Sequence, residues 1–156
     1  MKTHVPVSLR ALACAALVGA LSAGCSETTP VQDVVSRTFT LEDGDFGTKF
    51  DSDSNSGVGT ARFAMREITA EIVAAGSVTA EVDLGSEGKE WSALPLTWHF
   101  RDRDGSLHVV DIQPSYTEGH FMVSLRGDIN GTHAGVLALD GFLLRVVVIG
   151  AAAADS

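Results

Sequence analysis

The alternation of apolar and polar residues predicts most of this chain as short β-strands. In residues 77–84, SVTAEVDL, every second side chain is apolar and those between are polar, which is typical of a strand with one buried face. The same two-residue period predicts further strands at residues 34–41, 60–68, 96–100, 107–112 and 120–126. Residues 142–149, FLLRVVVI, are apolar on both faces and therefore predict a central strand.

The two-residue period gives way to a helical pattern at one place. Thr69 is a good N-cap residue, AEIVAA suits a helix, and Gly76 is the residue type that ends one. These signals predict one short helix over residues 70–75.

Three other stretches predict connections. Residues 42–59, EDGDFGTKFDSDSNSGVG, are acidic and rich in glycine and serine, and predict a long mobile loop that Phe46 and Phe50 pin to the body. The Asn130-Gly131 pair predicts a tight turn within residues 128–135, followed by a short strand at 136–139. Residues 114–119 predict another turn.

About seven short strands, one short helix and no alternation of strand with helix define the fold class. This succession predicts an all-β domain, mainly an antiparallel β-sandwich, over residues 34–150. Residues 151–156, AAAADS, predict a disordered tail.

The first 24 residues have the three parts of an export signal. Lys2 and Arg10 give a basic start, ALACAALVGA is an apolar segment, and small residues follow up to Gly24. The uncharged run is too short for a transmembrane helix, which needs about 20 residues. A plain secretory signal that is cut nearby is the alternative to a signal that is cut directly before Cys25 after this cysteine has been lipidated.

The sequence Leu21-Ser22-Ala23-Gly24-Cys25 resembles the lipobox of bacterial lipoproteins, and the resemblance covers residues 1–26. Ser22 departs from it, because leucine is usual three residues before the cysteine. The resemblance implies a signal peptide at 1–24, a lipidated Cys25 and a polar tether at 25–33. Ser26 after the cysteine implies sorting to the outer membrane, by a rule that varies between bacterial groups.

Removal of the signal peptide would make an acidic chain more acidic. Cleavage leaves 132 of 156 residues and takes away Lys2 and Arg10, so 9 basic residues face 20 acidic ones, for a net charge of −11. Such a negative charge argues against a nucleic-acid partner. It also argues against electrostatic binding to anionic lipid, so the acyl chains on Cys25 would hold the protein at the membrane. Cys25 would be the only cysteine left, so neither a disulfide nor a free catalytic thiol is expected.

The acidic loop contains one pattern typical of a metal site. Asp51, Asp53 and Asn55 occupy positions one, three and five of a loop, the spacing with which oxygen ligands surround Ca²⁺. Glycine comes at position seven instead of six, and position twelve is Arg62, where an EF-hand has glutamate. The loop is therefore either a solvated acidic turn or a weak Ca²⁺ site.

Histidine and tryptophan offer two further candidates. His99 and His108 flank a turn at residues 101–106; an even connection would put both on one face for a shared metal, and a three-residue turn with Gly105 left-handed would separate them. Trp91 and Trp98 would form a sugar-stacking platform or fill the core, and the alternating apolar face favours the core for Trp98. No nucleophile motif such as G-x-S-x-G occurs in the sequence.

The order ITAEIVAAGSV, a strand, W-x-x-L-P and a closing RVVVI over residues 68–149 also resembles uncharacterised secreted or lipid-anchored β domains of Bacteroidota, which imply no known chemistry.

Two function hypotheses follow. The first is an envelope lipoprotein that acts as a non-enzymatic binding or structural module, with a protein or glycan partner. The second is a small surface enzyme or accessory protein acting on polysaccharide, assisted by Ca²⁺. A polar pocket of acids and histidines would favour the second, and an exposed edge strand or apolar patch the first.

Overall fold

The computed structural model describes residues 33–85 and 90–150. The signal peptide at 1–24, Cys25, the tether up to residue 32 and the tail at 151–156 lie outside the described residues. The strands are β1 (Val34–Thr40), β2 (Phe46–Asp51), β3 (Ser56–Ala64), β4 (Ser77–Asp83), β5 (Trp91–Ala93), β6 (Leu96–Arg101), β7 (Leu107–Thr117), β8 (His120–Asp128) and β9 (Leu143–Ile149). The helices are α1 (Ala70–Ala75) and α2 (Ile129–Ala138), and a 3₁₀ turn covers Asp43–Asp45.

The strands form two antiparallel sheets, which confirms the predicted all-β sandwich. Sheet one has the order β1-β9-β4-β5, and sheet two has the order β2-β3-β8-β7-β6. One contiguous core takes its buried side chains from both sheets; its largest fully buried members include Phe121, Leu125, Ile112, Leu144 and Val82. The doubly apolar strand β9 lies between β1 and β4, as the sequence predicts for a central strand.

The predicted helix α1 is confirmed, and it begins and ends at the predicted residues, Ala70 and Ala75. The Thr69 hydroxyl accepts a hydrogen bond from the Ile72 backbone N–H (3.4 Å), which satisfies one of the free donors at the helix start. Ile72 is the buried residue of the helix and anchors it to the core.

The prediction of a long loop at residues 42–59 is wrong. The 3₁₀ turn, β2 and the start of β3 occupy it, and the two strands pair from Phe46–Ala61 to Asp51–Ser56. Phe46 does anchor this hairpin in the core, whereas Phe50 is exposed. The sequence pattern does not predict strand β2 because five of its six residues are exposed, so the segment has no alternating apolar face.

The prediction of a turn at Asn130-Gly131 and a strand at 136–139 is also wrong, because α2 covers both. The Asp128 side chain caps the helix by accepting from the Gly131 N–H. The predicted turn at 114–119 is shorter than expected: β7 continues to Thr117, and only Glu118 and Gly119 separate it from β8.

Helix α2 lies directly on the buried face of sheet two, where glycines replace larger side chains. A methyl group at Gly57 would lie 2.8 Å from the Thr132 Cβ, and one at Gly59 would lie 2.9 Å from a Val136 methyl. The Thr132 hydroxyl donates to the Gly57 carbonyl (3.0 Å). The missing side chains on β3 therefore bring the helix backbone close to the sheet.

The exposed edge strand β1 carries an inward-facing charge. Arg37 pairs across the sheet with Val146, a buried residue, so its side chain leaves the strand on the core side. The Arg37 guanidinium forms an ion pair with Glu67. The hydrogen bond within this pair keeps the pKa of Glu67 below its usual value. An inward charge on an edge strand hinders pairing with the edge of another sheet.

Candidate functional site

The described residues form a pocket at one end of the sandwich, between the β6–β7 connection, α2 and the 3₁₀ turn. It has a volume of about 660 Å³. One wall is the connection Arg101–Ser106 with His108, and the other is the outer side of α2. The lining residues are Asp43, Arg101, Asp102, Arg103, Asp104, Ser106, His108, Asn130, His133, Ala134, Leu137, Ala138 and Asp140.

The β6–β7 connection is built around the carboxylate of Asp102. Its Oδ1 accepts from the backbone N–H groups of Asp104 (3.0 Å) and Ser106 (2.9 Å), as short polar side chains do in tight turns. Its Oδ2 lies 2.8 Å from His108 Nε2. The hydrogen bond from His108, followed by the two backbone donors, keeps the pKa of Asp102 below its usual value despite some desolvation. Asp102 therefore stays ionised near neutral pH and is a poor general acid.

His108 is fixed from two sides. Its ring lies 5.5 Å, centroid to centroid, from Phe100, which pairs with it across the two strands. Directly paired residues share a face of the sheet, so His99, one residue before Phe100, lies on the opposite face. The two histidines cannot share a metal, and Gly105 has the left-handed conformation (φ 81°) expected for the separating turn.

The helical wall brings an apolar strip to the pocket. Ala134, Leu137 and Ala138 are spaced three and four residues apart, so they share the outer side of α2, and the side chain of His133 lines the pocket beside them. Leu137 is 52% exposed, although it lies in a cavity whose other wall is charged. The pocket thus offers an apolar strip, both signs of charge and an ordered imidazole to one ligand.

The carboxylates near the 3₁₀ turn are also partly used for structure. The Asp43 backbone N–H donates to Asp140 Oδ1 (3.2 Å), which links the turn after β1 to the segment before β9. Leu41 N–H donates to the Phe142 carbonyl (2.8 Å), and Gly141 N–H donates to the Leu41 carbonyl (2.8 Å). This network links the side of the pocket formed by Asp43 and Asp140 to sheet one.

Asp51, Asp53 and Asn55 lie in the β2–β3 hairpin turn. Asp51 Oδ1 accepts from the Asp53 N–H (3.0 Å), and Asp51 Oδ2 accepts from the Ser54 hydroxyl (2.8 Å). These hydrogen bonds, that of Ser54 first, lower the pKa of Asp51. Asn55 adopts a left-handed conformation (φ 47°), so the spacing of these residues also matches the needs of a tight turn.

Within residues 33–85 and 90–150, no group of three or more histidine, cysteine or acidic side chains is placed to hold a metal ion. In that same part of the chain, no helix is long and apolar enough to cross a membrane.

The two tryptophans do not line the pocket. Trp98 packs against the core and stacks on Phe100, with centroids 4.3 Å apart, as the core-filling alternative predicts. The ring of Trp91 lies on the outer face of sheet one under the guanidinium of Arg145, 4.3 Å from its centroid, and Arg145 also pairs with Glu81. The exposed ring face that a sugar platform needs is therefore occupied at Trp91.

Sequence reasoning did not predict this pocket. Its residues come from four separate segments, and one of these, α2, has the glycines and asparagine of a turn. No family model, no curated protein and no solved structure matches the chain.

Proposed function

We propose that this chain is a lipid-anchored lipoprotein of the bacterial envelope, sorted to the outer membrane, whose β-sandwich is a non-enzymatic binding module with the pocket as its ligand site. One observation carries the proposal: the pocket and the start of the described chain lie at opposite ends of sheet one. At one end, the Asp33 backbone carbonyl accepts a hydrogen bond from the Gly150 N–H (2.9 Å). At the other end, the Asp43 backbone N–H donates to Asp140 Oδ1. The seven residues of β1 separate the two ends by about 23 Å.

This arrangement suits a module held by its N-terminus. A tether from Cys25 reaches the sandwich at Asp33, so the opposite end, with its pocket, is free to meet a ligand in the surrounding space. The lipid holds the module at the surface, and the short polar tether limits how far it moves. The lipobox resemblance supports the proposed anchor, and the separation of the pocket from Asp33 supports the proposed orientation.

Binding is favoured over catalysis by how the polar groups of the pocket are used. Asp102 holds the turn and His108 together, and its lowered pKa removes it as a proton donor. Among the described residues, no hydrogen bond joins the Ser106 hydroxyl to an imidazole, as an activated nucleophile would require. These groups form a fixed polar surface, and a fixed surface binds without a large entropy cost.

One observation favours the second candidate, an enzyme or accessory protein acting on polysaccharide. The pocket does gather several acids and two histidines, the combination expected of such a site. Its lining residues include no phenylalanine, tyrosine or tryptophan ring on which a sugar could stack, which places this candidate second. Release of reducing ends from envelope polysaccharide by the purified chain would reverse that order.

The anchor is tested by comparing the two cysteines of the precursor. Cys25→Ala should abolish incorporation of a palmitate analogue and move the chain from the membrane to the soluble fraction, because residue 25 carries the acyl chains in this proposal. Cys14→Ala is the matched control, since Cys14 lies inside the apolar segment of the signal peptide and should not affect either result. Label that persists in Cys25→Ala, or disappears in Cys14→Ala, would contradict the proposed anchor.

A further inference from the structure

The end of the sandwich at which the described chain begins carries an exposed apolar patch. Val34 is 61% exposed, the highest value among the large apolar residues of the described chain, and Val73 on α1 is 45% exposed. Val34 pairs directly with the half-buried Ile149, which also pairs with Ser77, two residues after α1 ends. We call Val34, Val73 and Ile149, with the exposed Ala74 and Ala75, the proximal patch.

We propose that the proximal patch rests on the lipid surface to which the chain is anchored; this inference depends on the proposed lipidation of Cys25. The length of the tether selects this occupant. Eight residue steps separate Cys25 from Asp33, so the tether spans at most about 28 Å when extended. The patch is therefore confined close to the bilayer surface.

Confinement lets a small patch contact the bilayer, although the same patch on an unanchored domain would bind too weakly. A few exposed aliphatic side chains bind membranes weakly by themselves, and binding strength grows with the apolar area that is buried. A short tether turns the contact into an intramolecular event with a high effective concentration. The patch adds to the anchor and need not replace it.

The charges at this end agree with an apolar contact, not an electrostatic one. Asp33 and Glu71 are exposed acids beside the patch, and Glu118 lies in the turn that hydrogen-bonds to Ile68, just before α1. Arg66, between β3 and α1, is an exposed basic residue at this end, and the three acids outnumber it. Attraction to anionic lipid would require an excess of basic residues there. We therefore expect the proximal patch to contact bilayers of zwitterionic lipid without any need for anionic lipid.

The contact also fixes the direction in which the pocket faces. Strand β7 runs from Leu107, beside the pocket, to Thr117, beside the turn near α1, over about 33 Å. With the proximal patch on the lipid, the pocket points away from the membrane at the far end of this strand.

The test uses the lipidated chain extracted from membranes, with a single environment-sensitive nitrobenzoxadiazole label. Val34→Cys places the label in the patch, and Leu107→Cys, 59% exposed in the native chain, is the matched control at the far end. Lipidated Cys25 has no free thiol, so only the new cysteine reacts. The chain is reconstituted in vesicles of phosphatidylcholine and phosphatidylethanolamine, and quenching by doxyl-labelled lipid is measured.

The label at Val34 should emit at shorter wavelength in vesicles and be quenched at least about twice as strongly as the label at Leu107, and Val73→Asp, which leaves the tether unchanged, should remove that difference. A difference that survives Val73→Asp would come from the tether alone and would overturn the inference. Equal quenching at the two positions, with the chain still floating with the vesicles, would overturn the inference and leave the anchor intact. A chain that does not float, and whose Cys25 reacts with the label, would overturn both. A blue shift at Val34 that requires no lipid and grows with protein concentration would mean that a second copy covers the patch, and would also overturn the inference.

Discussion

Phe121→Ala should lower the free energy of unfolding by about 3–5 kcal/mol, the loss typical of a fully buried phenylalanine in a well-packed core. Phe121 is 0% exposed, and β8 lies in the middle of sheet two between β3 and β7. Its direct neighbours across the strands are Phe63 and Tyr116, so truncation leaves a cavity bordered by two rings that belong to rigid strands. Urea denaturation of the purified chain measures the loss.

Phe50→Ala is the matched control for this experiment. Phe50 is 46% exposed on β2, at the edge of the same sheet, and its truncation should change stability by less than about 1 kcal/mol. The loss for Phe121 would be a large part of the total stability of a domain of this size, about 5–15 kcal/mol. Similar losses at the two positions would contradict the placement of the core between the sheets.

Gly57→Ala should destabilise the chain by about 1–3 kcal/mol, because the added methyl group overpacks the contact between β3 and α2. That methyl would lie 2.8 Å from both the Cβ and the Oγ1 of Thr132, closer than real side chains approach. The helix must move outward, and the hydrogen bond from Thr132 to the Gly57 carbonyl is lost. Because the outer side of α2 forms one wall of the pocket, the pocket should change shape as well.

Gly47→Ala, on the neighbouring strand β2, is the control for the glycine change. A methyl group there would have one ordinary contact, 3.9 Å from the Thr60 carbonyl oxygen. Its effect on the urea midpoint should be small, since both substitutions remove the same backbone freedom but only one creates a collision. A Gly57→Ala chain as stable as Gly47→Ala would mean that α2 does not lie on β3 at the described distance.

The strands with a regular apolar face could be predicted from the sequence, and the elements held by tertiary contacts could not. Strands β4 and β9 bury alternate apolar residues, β1 half-buries Val35 and Phe39, and α1 has a capping threonine, so local patterns suffice. Helix α2 contains Gly131, Thr132 and Gly135, which are poor helix formers but small enough to pack closely on sheet two. Packing on the sheet outweighs propensity there.

One signal for α2 was present in the sequence. Asp128 stands three residues before Gly131 as a cap, and residues 131, 132, 135, 136 and 139, which the structure buries, follow a helical spacing. The Asn130-Gly131 pair masked this pattern because it is also the strongest signal for a short hairpin. The pocket depends on α2, so a sequence pattern that hides the helix also hides the site.

The acidic hairpin turn illustrates a pattern that satisfies two requirements. Asp51, Asp53 and Asn55 have a spacing typical of a Ca²⁺ loop, and the structure uses the Asp51 oxygens to close the turn. Residues that accept backbone hydrogen bonds in turns are the same types that bind hard cations, so spacing alone does not separate the two roles. The Ca²⁺ site stays a prediction.

The binding role of the pocket is tested most directly by photo-crosslinking in the bacterium that produces the lipidated chain. Benzoylphenylalanine at Leu137, inside the pocket, should give an adduct on irradiation, detected as a mass increase of the purified chain. Benzoylphenylalanine at Val109, which is 45% exposed on the face of sheet two that points away from the core and α2, should give no adduct. An adduct at Leu137 that is lost in Gly57→Ala is the result we predict. No adduct at Leu137, or equal adducts at Leu137 and Val109, would contradict a binding module with its ligand in this pocket.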